Sequence, residues 1–225
     1  MGKYPGRIVH IQESDRGPAD GLNKGFAKAT GSLFSYLNAD DLYLPGCFEA
    51  AVRAAGRFPD AAAVYGDGYK ADADGTIIRR VVSTSFSPRR YVYGGCLVLQ
   101  QSTFYRAEAF RAVGRFNPLN KTCWDGEILL EMTLKGLPVI HVPGYWAIFR
   151  IHAESITGSQ SLAEDYRKTS AHFFQKVMGR PRTATDVLAE GLVKAYSLLI
   201  EPRSTLTRIL DRIGALAPEP RIRNV

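Results

Sequence analysis

Residues Leu33 to Gly46 read LFSYLNADDLYLPG, and the fold turns on how that run is parsed. Leu33, Phe34, Ser35, Tyr36 and Leu37 are mostly apolar and follow Gly31, which predicts a buried central strand covered on both faces. The strand signal stops at Asn38, Ala39, Asp40 and Asp41. Pro45 then fits the first position of a helix whose Phe48, Val52 and Ala55 share one face. Two adjacent carboxylates therefore stand where a central strand gives way to a loop. In open α/β sheets that strand end is where ligands bind. Carboxylates there suit a hard divalent cation, which would in turn hold a diphosphate. An Asp in this place can also simply cap a turn before the helix.

Working outward, Arg7 to Gln12 reads as a short strand and Glu13 to Pro18 as a polar turn. Leu22, Phe26 and Ala29 have helical spacing, with Gly31 suited to the residue past the helix end. Ala61 to Tyr65 is a further short strand ending at Gly66-Asp67-Gly68. Tyr69 to Val82 predicts a hairpin turning at Asp74-Gly75. A helix over Ala107 to Val113 and an apolar one from Ile128 to Leu134 follow. The last strands are predicted at Leu137 to Val142 and Tyr145 to Ile151. Alternating strands and helices with a hairpin predict an α/β mixed sheet flanked by helices. From Ser159 the chain turns helical and basic, so a boundary is expected near residue 158: a core over 1–158 and a helical extension over 159–225.

The 225 residues carry a net charge of +7, with a pI near 9.4. Such a balance favours acidic partners, namely phosphate groups, nucleic acid or an anionic membrane surface. The cations are scattered, which argues against nucleic acid. Cys47, Cys96 and Cys123 have no CxxC spacing, which fits a reducing compartment better than a disulfide framework or a zinc site. No apolar leader follows Met1, and Leu137 to Phe149 is interrupted by Pro138, His141, Pro143 and Gly144. These features lead us to expect a cytoplasmic protein, at most peripheral to the inner face of the membrane.

Five pieces line up in order: Asp15-Arg16-Gly17-Pro18-Ala19-Asp20 with Asn23, Lys24 and Gly25; Asn38-Ala39-Asp40-Asp41; Tyr65-Gly66-Asp67; Trp124-Asp125-Gly126-Glu127; and Phe149-Arg150-Ile151-His152-Ala153-Glu154-Ser155. Together, over about residues 7 to 158, they resemble the family 2 glycosyltransferases of the GT-A fold. The resemblance implies a metal-dependent, inverting transfer of a sugar from a nucleotide-diphosphate sugar (UDP- or dTDP-type) to a hydroxyl on a glycan or lipid-linked glycan, as in polysaccharide biosynthesis. It makes Asp40 the metal-binding member of a DXD-like motif, with Asn38 where relatives carry the first Asp. His152 is in some relatives a partner of the Mn or Mg ion or of the diphosphate; it can equally be a satisfied strand-end histidine. Asp125 matches the catalytic base, and can also be a plain helix cap. Glu127 and Trp124 fall on the acceptor side. Arg16, Asn23, Lys24, Asn38, Asp41 and Arg150 are candidates for nucleotide-sugar binding, Asn23 being equally suited to supporting its own loop.

Relatives open with two further strands that hold the base and ribose, and nothing of the kind precedes Arg7. The expectation is a GT-A-like, N-terminally truncated core, with the alternative of a non-catalytic remnant that binds a partner. In the tail, Leu188, Leu192, Ala195 and Leu199 form one stripe and Leu206, Ile209, Leu210, Ile213 and Leu216 another. Arg203, Arg208 and Arg212 lie among the second. Intramolecular packing, a homo-oligomer contact or a membrane-surface helix would each use such stripes.

Overall fold

The computed structural model describes residues 8–151 and 162–216. Its strands are β1 (Leu33–Phe34), β2 (Leu42–Tyr43), β3 (Ala63–Ala71), β4 (Ile77–Val81), β5 (Thr103–Arg106) and β6 (Val139–Arg150). They form one six-stranded sheet in the order β1-β5-β3-β6-β2, with β4 also paired to β3. Only β3 and β6 are parallel; the other pairings are antiparallel. The helices are α1 (Pro18–Lys28), α2 (Cys47–Arg57), α3 (Pro88–Val92), α4 (Ala107–Ala112), α5 (Trp124–Leu134), α6 (Ala163–Met178), α7 (Thr185–Ile200) and α8 (Pro202–Arg212).

Period-two alternation divides the sheet residues between two cores. Ala63, Tyr65 and Tyr105 enter one, with Phe110, Phe116 and Ile128 from beyond the sheet. Val64, Phe104 and Trp146 enter the other, against Cys47, Ala51 and Ala54 of α2. That packing corrects the predicted face of α2 at two of its three positions and keeps the third, Ala55, which is buried. Phe48 and Val52 are 56% and 63% exposed, while Cys47 and Ala51 are buried. Small side chains let the helix lie close to the sheet, which larger ones on the same face would prevent. The helix also starts later than Pro45, with Gly46 as its N-cap in the left-handed region at φ 79°.

The quoted run differs too. Strand pairing covers Leu33 and Phe34 alone, antiparallel to β5 at the sheet margin rather than at its centre. After Phe34 side chains replace the ladder. Ser35 Oγ donates to the Thr103 carbonyl at 3.0 Å, and Gln100 Nε2 to the Tyr36 carbonyl at 3.0 Å. Residues 35–41 thus cross toward the far side of the sheet, where β2 pairs β6. The strand expected over Arg7 to Gln12 does not form within the described residues: 8–15 is irregular, and Ile8 and Val9 are 53% and 74% exposed. So short a run lacks the apolar area to hold itself without a neighbouring strand.

Elsewhere the predicted elements grow. β3 continues through Gly66-Asp67-Gly68 instead of ending there, because both glycines make room. A Cβ on Gly66 would lie 2.4 Å from the Trp146 ring, and one on Gly68 2.3 Å from the Ala147 carbonyl oxygen. β6 likewise runs as one strand past Pro143 and Gly144, with the irregular register concentrated opposite Tyr65 to Gly68. The β3–β4 hairpin turns at Asp74-Gly75, with Asp72 Oδ1 accepting from the amides of Asp74 and Thr76 at 3.0 and 2.9 Å.

The C-terminal helices pack back onto this frame. Phe173 and Phe174 join Val92, Tyr93 and Leu130 in a third core, and Tyr93 Oη donates to Asp186 at 2.7 Å. Arg80 pairs Asp211 at 2.7 Å, and Ser204 Oγ donates to the Val82 carbonyl at 3.0 Å. The stripe on α7 nevertheless faces away from these contacts: Leu188, Leu192 and Leu199 are 74%, 73% and 79% exposed. The boundary expected near 158 lies outside the described residues.

Candidate active site

The segment that crosses from β1 to β2 carries both carboxylates, and the fold treats them differently. Asp41 is buried and accepts from Gln101 Nε2 at 2.8 Å, the Arg150 amide at 3.0 Å and Asn38 Nδ2 at 3.1 Å. Burial raises its pKa, the three donors oppose that, and the charge of Asp40 adds to it. Asp40 keeps partial exposure, and its carbonyl takes Arg150 Nε. Arg150 thereby holds the acid turn through both its amide and its side chain. Neither Asp caps α2, whose N-cap Gly46 has no side-chain bond.

The second motif begins α5. Cys123 is the N-cap, again without a side-chain cap, so Asp125 sits inside the first turn rather than at the cap. Its surroundings are tyrosines. The hydroxyls of Tyr36, Tyr91 and Tyr105 each feel its charge, and their own pKa values are driven far up, first by burial and then by Asp125. Loss of water raises the Asp125 pKa as well, against the helix-start amides that favour its anion. Such a carboxylate is a better base than an exposed one. Beside it, Tyr105 Oη is buried with no hydrogen-bond partner among the described residues. An orphaned buried hydroxyl is destabilising by about 1–3 kcal/mol.

Tyr36 joins the two motifs. It belongs to the quoted run, and its Oη accepts from Trp124 Nε1 at 3.0 Å; its hydroxyl senses Asp125 and, more weakly, Asp41. Sequence reasoning passed over Tyr36, Tyr91 and Tyr105, and placed Gln101 within a stretch, Tyr93 to Gln101, expected to line the acceptor side rather than as a partner of Asp41. Tyr36 sits inside the motif run itself, but apolar periodicity reads it as core; the others carry no local signal.

The remaining candidates divide between pairing and bracing. Glu127 is buried, its two oxygens accepting from Asn117 at 3.1 Å and Asn120 at 2.7 Å, so it pins the loop ahead of α5. Asn23 exchanges two bonds with the backbone of Phe116, at 2.8 and 3.1 Å, which is the loop-supporting role. Arg16 pairs Asp20 at 3.3 Å on the surface, while Lys24 lies 3.9 Å from Glu13 and from Asp20 and donates to the Ser14 carbonyl. Asn38 is exposed beside Asp41. His152 lies outside the described residues.

Among the described residues, no three His, Cys, Asp or Glu side chains gather into a ready-made metal cage. What stands at the acid turn is a partly exposed carboxylate beside a buried one already occupied by donors. That set fits a cation that takes one or two carboxylates from protein and completes its shell with phosphate oxygens and water.

Gly126 makes the tyrosine arrangement possible. A Cβ there would fall 1.8 Å from Tyr91 Oη and 2.7 Å from its Cζ. Gly126→Ala must therefore displace a buried ring at the Asp125 turn, an overpacking that destabilises by roughly 1–3 kcal/mol. A lower melting temperature is expected, partly restored by adding Tyr91→Phe, which removes the nearest clashing atom and keeps the ring packing. An unchanged melting temperature in Gly126→Ala would rule out the close contact.

Comparison with known proteins adds three findings. The sequence model described as Glycosyl transferase family 2 matches residues 2–116. No curated protein sequence matches the chain. Among solved structures, S. aureus TarS 1-349 in complex with UDP-GlcNAc aligns at a TM-score of 0.55 and 12% identity, over 85% of this chain and 55% of that one. The same protein in complex with UDP aligns at 0.51 and 13% identity, over 84% of this chain and 52% of that one. These likenesses establish the fold. The chain spans about half the length of the structures it matches.

Proposed function

The chain belongs to glycosyl transferase family 2, and from that premise we propose that it transfers a sugar from a nucleotide-diphosphate sugar to a hydroxyl acceptor, with inversion at the anomeric carbon. The supporting observation is the Tyr36–Trp124 hydrogen bond, which ties the segment ending in Asp40 and Asp41 to the helix turn bearing Asp125. In this reading Asp125 takes the proton of the acceptor hydroxyl as its oxygen bonds to the anomeric carbon. The bond from that carbon to the phosphate oxygen breaks, and the nucleoside diphosphate leaves. A carboxylate is a weak base for an alcohol, so proton transfer comes late, as charge builds on an oxocarbenium-like sugar.

A divalent cation, Mn or Mg, would be held by Asp40 and supply neutralisation of the leaving diphosphate. Asp41, with Gln101 and Arg150, would set the position of Asp40. Trp124 would border the acceptor, a glycan or lipid-linked glycan. TarS binds UDP-GlcNAc and UDP, which makes UDP the first nucleotide to try. No helix among the described residues is long and apolar enough to cross a membrane. We place the protein in the cytoplasm, with peripheral membrane contact through the exposed face of α7.

The test is a calorimetric titration of the chain with UDP in the presence and absence of Mn²⁺. Saturable, Mn²⁺-enhanced binding is expected, with a loss of about tenfold or more in Asp40→Ala, the scale of one charge-assisted contact. A titration without signal at any UDP concentration would favour a partner-binding remnant instead.

A further inference from the structure

Away from the acid turn, a cavity of about 640 Å³ opens between β4, residues 94–97 and helices α7 and α8. Its size is that of a small-molecule pocket. Gly95 lets α7 close this wall, since a Cβ there would lie 2.6 Å from Ser197 Oγ. The lining is cationic in a particular way. Two of its acids are already engaged: Asp211 by Arg80 at 2.7 Å, and Glu201 by Arg90 at 3.3 Å. Lys194 pairs Glu190 at 2.5 Å. Arg79, Arg208 and Arg212 are left together, and none of them makes an ion pair among the described residues. Arg208 loses water on one side and meets the positive charges of Arg79 and Arg212 on the other. All three side chains line the cavity and keep contact with solvent, so water screens their mutual repulsion, and an anion placed between them would meet three guanidinium donors at once. Beside them the wall is apolar, with Val81, Leu97 and Leu198.

We propose that this cavity is a second phosphate site, distinct from the donor site, in which Arg79, Arg208 and Arg212 hold the phosphate of an amphiphilic ligand whose apolar part lies along Val81, Leu97 and Leu198. Guanidinium groups suit the task because each offers a planar pair of donors to phosphate oxygens. Two sources share this chemistry: a free phosphorylated amphiphile and a phospholipid headgroup presented by a bilayer.

The probes are a short-chain phosphatidic acid below its micelle concentration, inorganic phosphate, and vesicles of phosphatidylcholine with or without phosphatidylglycerol. Calorimetry with the full chain should show saturable binding of the short-chain phosphatidic acid, and weaker binding of inorganic phosphate, which lacks the apolar part. Arg208→Gln with Arg212→Gln should weaken the former by about tenfold or more. Arg208→Lys with Arg212→Lys, which keeps the charge but not the fork, should lose less. UDP titration in the same variants should be unchanged, which separates this site from the donor reading and reports that the chain is folded. Saturable binding of the soluble amphiphile assigns a free ligand; binding confined to phosphatidylglycerol vesicles, and lost in the Gln pair, assigns a headgroup. The proposal is overturned if neither probe binds, or if both bind the Gln pair as well as the unmodified chain. It is also overturned if the apolar α7 face is covered by a second copy that closes the cavity, read as a dimer in sedimentation.

Discussion

Asp125→Asn is expected to leave UDP binding intact and to lower sugar transfer by about 10²–10⁴-fold, the range over which general bases act. The substitution preserves size and hydrogen-bonding shape in the first turn of α5 while removing the basic oxygen. Two further readouts follow from the environment. Burial raises the Asp125 pKa, so transfer in the unmodified chain should fall with acid at a higher pH than an exposed Asp, near 3.9, would give. For stability, a folded pKa above the unfolded one means that the favourable contribution is complete below the unfolded value. It is lost as pH rises through the folded value. At neutral pH the ionised carboxylate is therefore a burden on the fold. Asp125→Asn should melt at the same temperature or higher than the unmodified chain at pH 7, and the gain should vanish in acid. If transfer survives the substitution, Asp125 is not the base. If the melting temperature drops sharply at neutral pH, Asp125 is an ordinary structural acid.

The largest effect on stability is expected from Asp67→Asn. Asp67 is completely buried in β3 and takes four partners: the amides of Ser83 and Gly144 at 2.9 and 3.0 Å, His141 Nε2 at 2.8 Å and Arg203 Nη1 at 2.8 Å. Burial alone would raise its pKa; His141, the Gly144 amide and Arg203 outweigh it and bring the value below that of a free Asp. An Asn would turn an amide N–H toward one of these donors and leave Arg203 without its anion. Arg203 is 45% exposed, so water takes up much of its lost partner, and the cost is that of the buried donors left facing an amide, roughly 1.5–3 kcal/mol. For a chain of this size that is a fall in melting temperature on the order of 5 °C. The pH dependence has the opposite sign to that of Asp125. A lowered folded pKa gives stability that is present above the unfolded value and lost as pH falls through the folded one. The gap between Asp67→Asn and the unmodified chain should accordingly narrow in acid. Near-equal melting temperatures at pH 7 would mean that the Asp67 cluster does not hold α8 to the sheet.

Much of this protein is written locally. The run ending in Asn38-Ala39-Asp40-Asp41, the Asp74-Gly75 hairpin and the Trp124-Asp125-Gly126-Glu127 helix start depend on turn chemistry and short-range periodicity. For that reason the mixed α/β sheet and the ordered family motifs could be read from the sequence. Tertiary structure decided how deeply each described motif residue is buried and what it bonds. Asp40 and Asp41 are neighbours of identical chemistry, and only the positions of Gln101 and Arg150, 60 and 109 residues from Asp41, separate a buried brace from a partly exposed acid. Glu127 and Asn23 look like site residues in sequence but are taken up by Asn117, Asn120 and Phe116. The face that α2 buries was settled by how closely a helix can approach β3 and β6, and the tyrosines around Asp125 by which rings the cores bring to α5. Burial and partners are sums over residues distant in the chain, so no window of sequence contains them.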